Sequence, residues 1–272
     1  MTFSVAMAVY RGDNAADFAT AVHSIYSQQS VRPQEIIIVV DGPIPDELEA
    51  TLAELKRQID VIRFVRFDEN RGHAAARQAG LEAASNELVA IMDADDISVP
   101  DRFEKQLAAF NDHPEAAVVG GQIKEFIDST DNVVGERIVP LGDADIKRYL
   151  RSRCPMNLVT VMYRKQAVEA VGGFMDWYCE EDYYLWVRLA EAGYKFANVS
   201  DNLVNVRVGC EMYRRRGGWR YFKSEASLQW YMFRHDIISL PRYFYNVAGR
   251  FAVQVAMPNC VRGFIFQKLF RK

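Results

Sequence analysis

The sequence predicts an α/β fold: a Rossmann-like, mostly parallel sheet flanked by helices, followed by a helical C-terminal extension. Three observations predict it. Short apolar runs alternate with helical periodicities from Phe3 to Met92, the order that builds a parallel sheet through right-handed crossovers. Two of those runs, Glu35–Val40 and Leu88–Met92, are almost purely apolar, as expected of strands covered on both faces. The second run ends abruptly in Asp93-Ala94-Asp95-Asp96, and open α/β sheets place their ligands at the carboxyl ends of strands.

Phe3–Val9 is a β-rich run. Asn14 offers an N-cap to a helix that sets Phe18, Val22, Ile25 and Gln29 on one face. Glu35–Val40 is the second strand. After the Gly42-Pro43 turn, Leu48, Leu52, Leu55 and Ile59 recur at helical spacing. Val61–Phe67 reads as a third strand. Arg71–Ala84 reads as a helix built mostly of alanine, which allows close approach to a sheet, and Leu88–Met92 is the fourth strand. No G-x-G-x-x-G follows the first strand, which argues against a dinucleotide site. Pro100 stands near the start of a helix through Phe110, and Ala117–Ile127 returns to the sheet. A Gly/Asp-rich hairpin or loop is expected over 128–142, a strand over Val159–Tyr163, and a helix over Tyr183–Ala192. Past Arg214 the pattern is helical and basic, so the chain divides into residues 1–210 and an extension over 211–272.

Composition bounds the setting. With 272 residues, half of them apolar, the chain can bury a substantial core. Its four cysteines, Cys154, Cys179, Cys210 and Cys260, are widely spaced without a C-x-x-C pair. Neither a disulfide framework nor a zinc site is suggested, and a reducing cytoplasm is expected. The N-terminus enters a strand without a basic and apolar leader, so no signal peptide is expected. The net charge of −3 hides an asymmetry: from Leu203 onward 13 Lys/Arg face three acids. An acidic front and a basic tail suit different partners. Nucleic acid fits poorly, because the front is acidic and no nucleic-acid module is present.

The acid-rich strand end carries the chemistry. Three carboxylates within four residues repel one another unless a cation sits among them. At the end of a buried strand this reads as a metal and nucleotide site, with helix capping near Pro100 as the structural alternative for Asp96.

VYRGDN (9–14), VVDGP (39–43), NRGHAAARQAG (70–80), DADD (93–96), GGF (172–174) and EEDYYLWVRLAEAG (180–193) occur in that order. In this order and spacing the chain resembles family 2 of the inverting glycosyltransferases, over roughly residues 3–210. The VVDGP turn and the RRRGG of 214–218 look most like bacterial transferases that build exopolysaccharide or O-antigen units on a lipid carrier. The resemblance implies the GT-A fold, an α/β domain binding a nucleotide-diphospho-sugar, and transfer of a hexose from a UDP-sugar.

The resemblance also implies site residues. Asp93 meets the ribose or sugar, and Asp95 binds Mn²⁺ or Mg²⁺ bridging the diphosphate, with Asp96 a second candidate ligand. Tyr10 and Arg11 lie where the family places uracil, an aromatic ring suited to stacking and a cation to attraction. Asp41 matches the acid accepting from the uracil N–H, although Val40 stands where relatives carry a second acid. Asn70, Gly72 and Arg77 match an N-x-G-x-x-x-x-R segment suited to the diphosphate or nucleoside; a solvated or ion-paired Arg77 is the alternative. Asp182 is the base that takes the acceptor hydroxyl's proton, with Glu181 orienting acceptor or base. Trp186 is a sugar-stacking platform or a core aromatic. Asn157 lies where relatives often have an Asn-His pair near the acceptor, here followed by Leu158.

Arg214-Arg215-Arg216 before two glycines suits a diphosphate. Val261, Phe264, Ile265 and Leu269 lie beside Arg262, Lys268, Arg271 and Lys272, a pattern for an anionic membrane surface or for packing on the catalytic domain. No 18-residue apolar run spans a membrane. The expected acceptor is a polyprenyl-diphosphate-linked sugar, reached from the cytoplasm at the inner-membrane surface. A sugar nucleotidyltransferase and a non-catalytic sugar-nucleotide-binding module are the alternatives; the first would carry a glycine-rich basic loop early in the chain, which VYRGDN lacks.

Overall fold

A computed structural model describes residues 1–209 and 217–256. Strands β1 (Phe3–Val9), β2 (Glu35–Val40), β3 (Ile62–Arg66) and β4 (Leu88–Met92) pair in parallel in the order β3-β2-β1-β4. Helices α1 (Ala15–Ile25), α2 (Asp46–Gln58) and α3 (His73–Ala83) make the crossovers. Alternate strand residues feed two cores. Val5, Met7, Ile36 and Ile38 pack with Phe18, Val22, Leu48 and Leu52, while Ala6, Ile37, Val39 and Ile91 pack with Ala76 and Leu81. This two-sided burial is why β2 and β4 read as continuous apolar runs. The small residues of α3 do let it sit close: Ala76 packs on the sheet, and a Cβ added at Gly80 would lie 3.0 Å from that of Ala6. Asn14 caps α1 as expected, its Oδ1 accepting from the backbone N–H groups of Ala16 and Asp17.

The sheet continues past β4 with mixed polarity. β5 (Ile97–Ser98), β6 (Ala116–Ile127), β8 (Met162–Arg164) and β9 (Lys195–Arg207) complete the order β3-β2-β1-β4-β8-β6-β9-β5. β8 is antiparallel to both β4 and β6, and β6 is parallel to β9. β7 (Ser129–Arg137) folds back on β6 through Asp128, whose φ is 63°. Helices α4 (Arg102–Asp112), α5 (Asp143–Leu150), α6 (Lys165–Ala170) and α7 (Glu181–Glu191) cover the sheet.

Two expectations need correction. Val159–Tyr163 is not one strand: Leu158–Thr160 is a 3₁₀ turn and β8 begins at Met162. The Thr160 hydroxyl draws the chain into that turn, donating to the Asn157 carbonyl at 2.7 Å and accepting from the Gly121 N–H at 3.0 Å. The long strand β9 has no counterpart in the sequence reading. Asn198, Asp201, Asn202 and Asn205 interrupt its apolar pattern, and its pairing comes from β6 and β5, distant in sequence.

After β9 come α8 (Trp219–Arg234) and α9 (Leu240–Phe251). Contacts of Trp219 with Phe251 and of Trp230 with Tyr243 set the two helices antiparallel. The pair docks on the body through Trp177 Nε1 donating to the Ser224 carbonyl and Asn246 Nδ2 to the Arg151 carbonyl. The Arg214–Arg216 segment and the amphipathic pattern from Val261 to Leu269 lie outside the described residues.

Candidate active site

The carboxyl ends of β1, β2 and β4 open into a cleft of about 360 Å³. Parallel strands leave their terminal carbonyls and following loops at one edge, so the residue types found there are those of the strand-end motifs. Tyr10, Asp41, Asn70, Gly72, Asp93 and Asp95 all line the cleft. Arg77, His73 and Asp13 join them. Arg11 is exposed and lies outside the lining.

The floor is built by Asp41. Its carboxylate accepts from the Arg71 N–H at 2.6 Å, the Gly72 N–H at 3.0 Å and Asn70 Nδ2 at 2.9 Å. Three of its roughly four acceptor positions are thereby taken by the 70–72 loop, and the residue is nearly buried. Gly42 makes this approach possible: its φ is +86°, and a Cβ there would meet the Asn70 nitrogen at 2.5 Å. The loop leads into α3 at Gly72, whose φ of 87° sets the first turn of the helix against the cleft. No side chain caps that N-terminus, so its N–H groups and dipole suit an anion. The Tyr10 ring rests over Gly12, where a Cβ would collide with it.

The acidic strand end separates into distinct roles. Asp93 is 42% exposed and Asp95 is exposed; both face the cleft. Asp96 points away: it is 3% exposed and accepts from the Arg207 N–H at 2.8 Å. Burial, then the charges of Asp93 and Asp95, push its carboxyl well above the ordinary range. Asp96 therefore pins β9 to the turn after β4 and is neither an exposed ligand nor the cap of α4. Asp13, missed in the sequence, is the fourth acid lining the cleft. Burial, followed by the charges of Asp95 and Asp93, raises its pKa to about 6, against the N–H donated by Tyr10.

Positive charge arrives from behind. Arg102 of α4 is fully buried beneath the cluster, donating to the Ile91 carbonyl at 2.8 Å and to Gln106. Burial brings its pKa down to about 9, although Asp93 and Asp96 favour the charged form. Arg207 of β9 donates to the Asp95 carbonyl and pairs with Asp17 at 2.8 Å. Neither arginine stands in a recognisable motif, because Arg102 reaches the cluster through the packing of α4 under the sheet and Arg207 through the pairing of β9.

Arg77 joins the two acidic clusters. It is 13% exposed, pairs with Glu181 and lies 3.6 Å from Asp93. Burial opposes its charge, yet Asp93, Glu181 and Asp182 together hold its pKa above the ordinary value. Glu181, at the first turn of α7, is raised by burial and by Asp182, against Arg77. Asp182 accepts from the Tyr183 N–H at 2.7 Å, and the Cys154 thiol donates to its other oxygen at 3.7 Å. Burial, then Asp182, push that thiol well up, so it is an inert donor rather than a nucleophile. Glu180 is buried and accepts from the Tyr221 hydroxyl of α8 at 2.9 Å.

The structure decides between the two readings of Trp186 and corrects that of Asn157. Trp186 is fully buried among core residues of α7 and offers no face to a sugar. Leu185, Val187 and Leu189 are also fully buried, and consecutive helical residues point in well-separated directions, so α7 is enclosed around much of its circumference here. Asn157 is 2% exposed, and its amide donates to the Gly121 carbonyl at 2.8 Å and the Arg137 carbonyl at 3.3 Å. It braces the 3₁₀ turn against β6 instead of meeting an acceptor. Among the described residues, no three His, Cys, Asp or Glu side chains are gathered closely enough to hold a metal by themselves.

The family model described as "Glycosyl transferase family 2" matches residues 4–174. The chain is 36% identical over its full length to an uncharacterized glycosyltransferase of Haemophilus influenzae, covering all of both chains. It is 35% identical to the amylovoran biosynthesis glycosyltransferase AmsE of Erwinia amylovora, over 83% of this chain and 84% of that one. It is 31% identical to a UDP-Gal:alpha-D-GlcNAc-diphosphoundecaprenol beta-1,3-galactosyltransferase of Escherichia coli, over 99% and 97%. The fold is shared with S. aureus TarS 1-349 in complex with UDP, at TM-score 0.64, 17% identity and coverage of 98% and 74%. It is also shared with the mannosyltransferase PcManGT of Pyrobaculum calidifontis in complex with GDP-Man and Mn²⁺, at TM-score 0.65, 16% identity and coverage of 98% and 81%.

Proposed function

The chain belongs to glycosyl transferase family 2 and is a GT-A-type glycosyltransferase related to bacterial surface-polysaccharide enzymes; from that premise we propose that it moves a hexose from a UDP-sugar to a sugar hydroxyl on a polyprenyl-diphosphate-linked acceptor, with inversion. The observation that carries this reading is the pair of acidic clusters tied by Arg77, one lining the strand-end cleft and the other opening α7. The names of the Erwinia and Escherichia relatives support the polysaccharide setting and a UDP-sugar donor. With family membership established, the nucleotidyltransferase alternative loses its footing.

In this reading Tyr10, Arg11 and the free acceptor position of Asp41 meet the uracil. Asn70, Gly72 and the α3 N-terminus take the diphosphate, and Asp93 takes the ribose or sugar. Asp182 accepts the proton of the acceptor hydroxyl as its oxygen attacks C1 opposite the departing UDP. Glu181, held by Arg77, keeps the first turn of α7 in place. Asp95, with Asp93 beside it, would hold Mn²⁺ or Mg²⁺. Two partly exposed carboxylates fit such an ion, because these cations commonly take one or two protein carboxylates and complete their shell with substrate phosphates and water. Bound there, the cation supplies charge neutralisation for the leaving diphosphate. Among the described residues no helix is long and apolar enough to cross a membrane; the reading places the enzyme in the cytoplasm, at the inner-membrane surface.

The test is a donor screen with Mn²⁺ and a synthetic lipid-diphosphate-sugar acceptor, product being identified by mass and anomeric configuration. Transfer with inversion from one UDP-hexose is expected. Asp182→Asn should lower turnover by about 10²–10⁴-fold while leaving UDP binding intact. Normal turnover in that variant would overturn the base assignment, and retention of configuration would overturn the reaction.

A further inference from the structure

The helix α9 is built inside out. Its buried face is polar: Asn246 is 5% exposed and donates to Gln229 and to the Arg151 carbonyl. Arg250 on the same side pairs with Glu225 of α8 at 3.0 Å. Its outer face is apolar. Leu240, Phe244, Ala248 and Phe251 follow one another at helical spacing, with Tyr245 beside them, and all are exposed. Phe244 is 61% and Tyr245 73% exposed. A helix stabilised by packing normally turns its apolar stripe to the core, so this orientation leaves an apolar face for something outside the chain.

The stripe is continued by α8. Trp219 and Trp230 are exposed on its outer face, the first in ring contact with Phe251 and the second with Tyr243. The aromatic seam therefore runs along both helices. Arg220, Lys223, Arg234 and Arg242 are exposed on these helices, with Lys223 over the Trp219 ring and Arg242 over that of Tyr245. Across 217–256 the only acids are Glu225, which is paired with Arg250, and Asp236.

We propose that the outer faces of α8 and α9 form a docking surface for an anionic lipid bilayer, with Trp219, Trp230, Phe244, Tyr245 and Phe251 in the headgroup boundary and the four cations on the phosphates. Trp, Tyr and Phe beside Lys and Arg are the composition of helices that lie in a membrane interface. Charge selects this occupant over two others. A second copy seated on the same face would bring cation against cation across a twofold axis. The chain's own residues 257–272 carry Arg262, Lys268, Arg271 and Lys272, again positive against positive. Through its opposite face α8 packs beside the proposed acceptor end of the cleft, since Tyr221 bonds Glu180, two residues from Asp182. The docking surface gives a physical contact to the membrane placement in the proposed function, but binding is read without donor or acceptor, so either can fail alone.

The experiment is flotation of the full chain with phosphatidylcholine vesicles, with and without phosphatidylglycerol. The chain should float with the phosphatidylglycerol vesicles, with a blue shift of tryptophan emission. Phe244→Glu with Tyr245→Glu should lower partitioning on the order of a hundredfold, about tenfold for each aromatic withdrawn, with an unchanged thermal melt. Phe244→Ser, which adds no charge, should lower it about tenfold. A chain that stays unbound to phosphatidylglycerol vesicles overturns the proposal, and so does equal flotation of the double variant. A dimer in light scattering that the double variant converts to a monomer, without vesicle binding, would assign the face to a second copy instead.

Discussion

Replacing Arg77 by methionine keeps the aliphatic stem and removes the cation between the two acidic clusters. Arg77 and Glu181 are 13% and 15% exposed, so the pair is largely desolvated, and Asp93 lies 3.6 Å from the same guanidinium. Removing one partner of a buried ion pair costs about 3–5 kcal/mol, because the orphaned charge keeps its desolvation penalty. Some solvent reaches both side chains, and Glu181 can take up a proton, which places the loss near the low end, about 3 kcal/mol. The melting temperature should fall by roughly 6–12 °C, and the urea midpoint should fall with an unchanged slope. The double variant with Glu181→Gln should recover about 1–2 kcal/mol of the summed single losses, since no carboxylate is then stranded. Arg77→Lys should fall between, keeping charge without the two-headed geometry. A loss below about 1 kcal/mol in Arg77→Met, with no coupling to Glu181, would refute the argument that this arginine holds the clusters together.

Two further outcomes are expected. Asp95→Ala should weaken UDP binding in the presence of Mn²⁺ but leave metal-free binding unchanged, read by titration calorimetry; equal affinity with Mn²⁺ would remove Asp95 as the ligand. Glu35 sets an acid limit on stability. Burial favours its neutral form, but the Ser85 N–H, the Ser4 hydroxyl, Arg63 and the Ser85 hydroxyl hold its pKa below the ordinary 4.5. This stabilisation is present above pH 4.5 and is lost as pH falls through the depressed folded value. Glu35→Gln should flatten the stability curve below that pH in denaturant titrations, and an unchanged acid limb would exclude Glu35 as a contributor.

Local pattern determined the first half of this protein. The apolar runs of β1, β2 and β4, the Asn14 cap and the alanines of α3 each state their own structure, because adjacent residues set the period and the cap. The strand-end position of Asp93 and Asp95 was legible for the same reason: a buried parallel strand delivers its next residues to the ligand edge. Family resemblance added Asp182, which the fold sets close enough to Arg77 to act on its charge. Only the tertiary structure decided the rest. Asp13, Arg102 and Arg207 reach the acidic cluster from three different elements, and no spacing along the chain encodes that meeting. Asn157 was misread, and the two readings of Trp186 stayed open, because helix direction and sheet neighbours, not residue type, determine which side chains face a cleft. The inverted helix α9 shows the same limit from the other side. Its periodicity marks an apolar face, while the direction of that face is set by the polar contacts of Asn246 and Arg250 with distant segments.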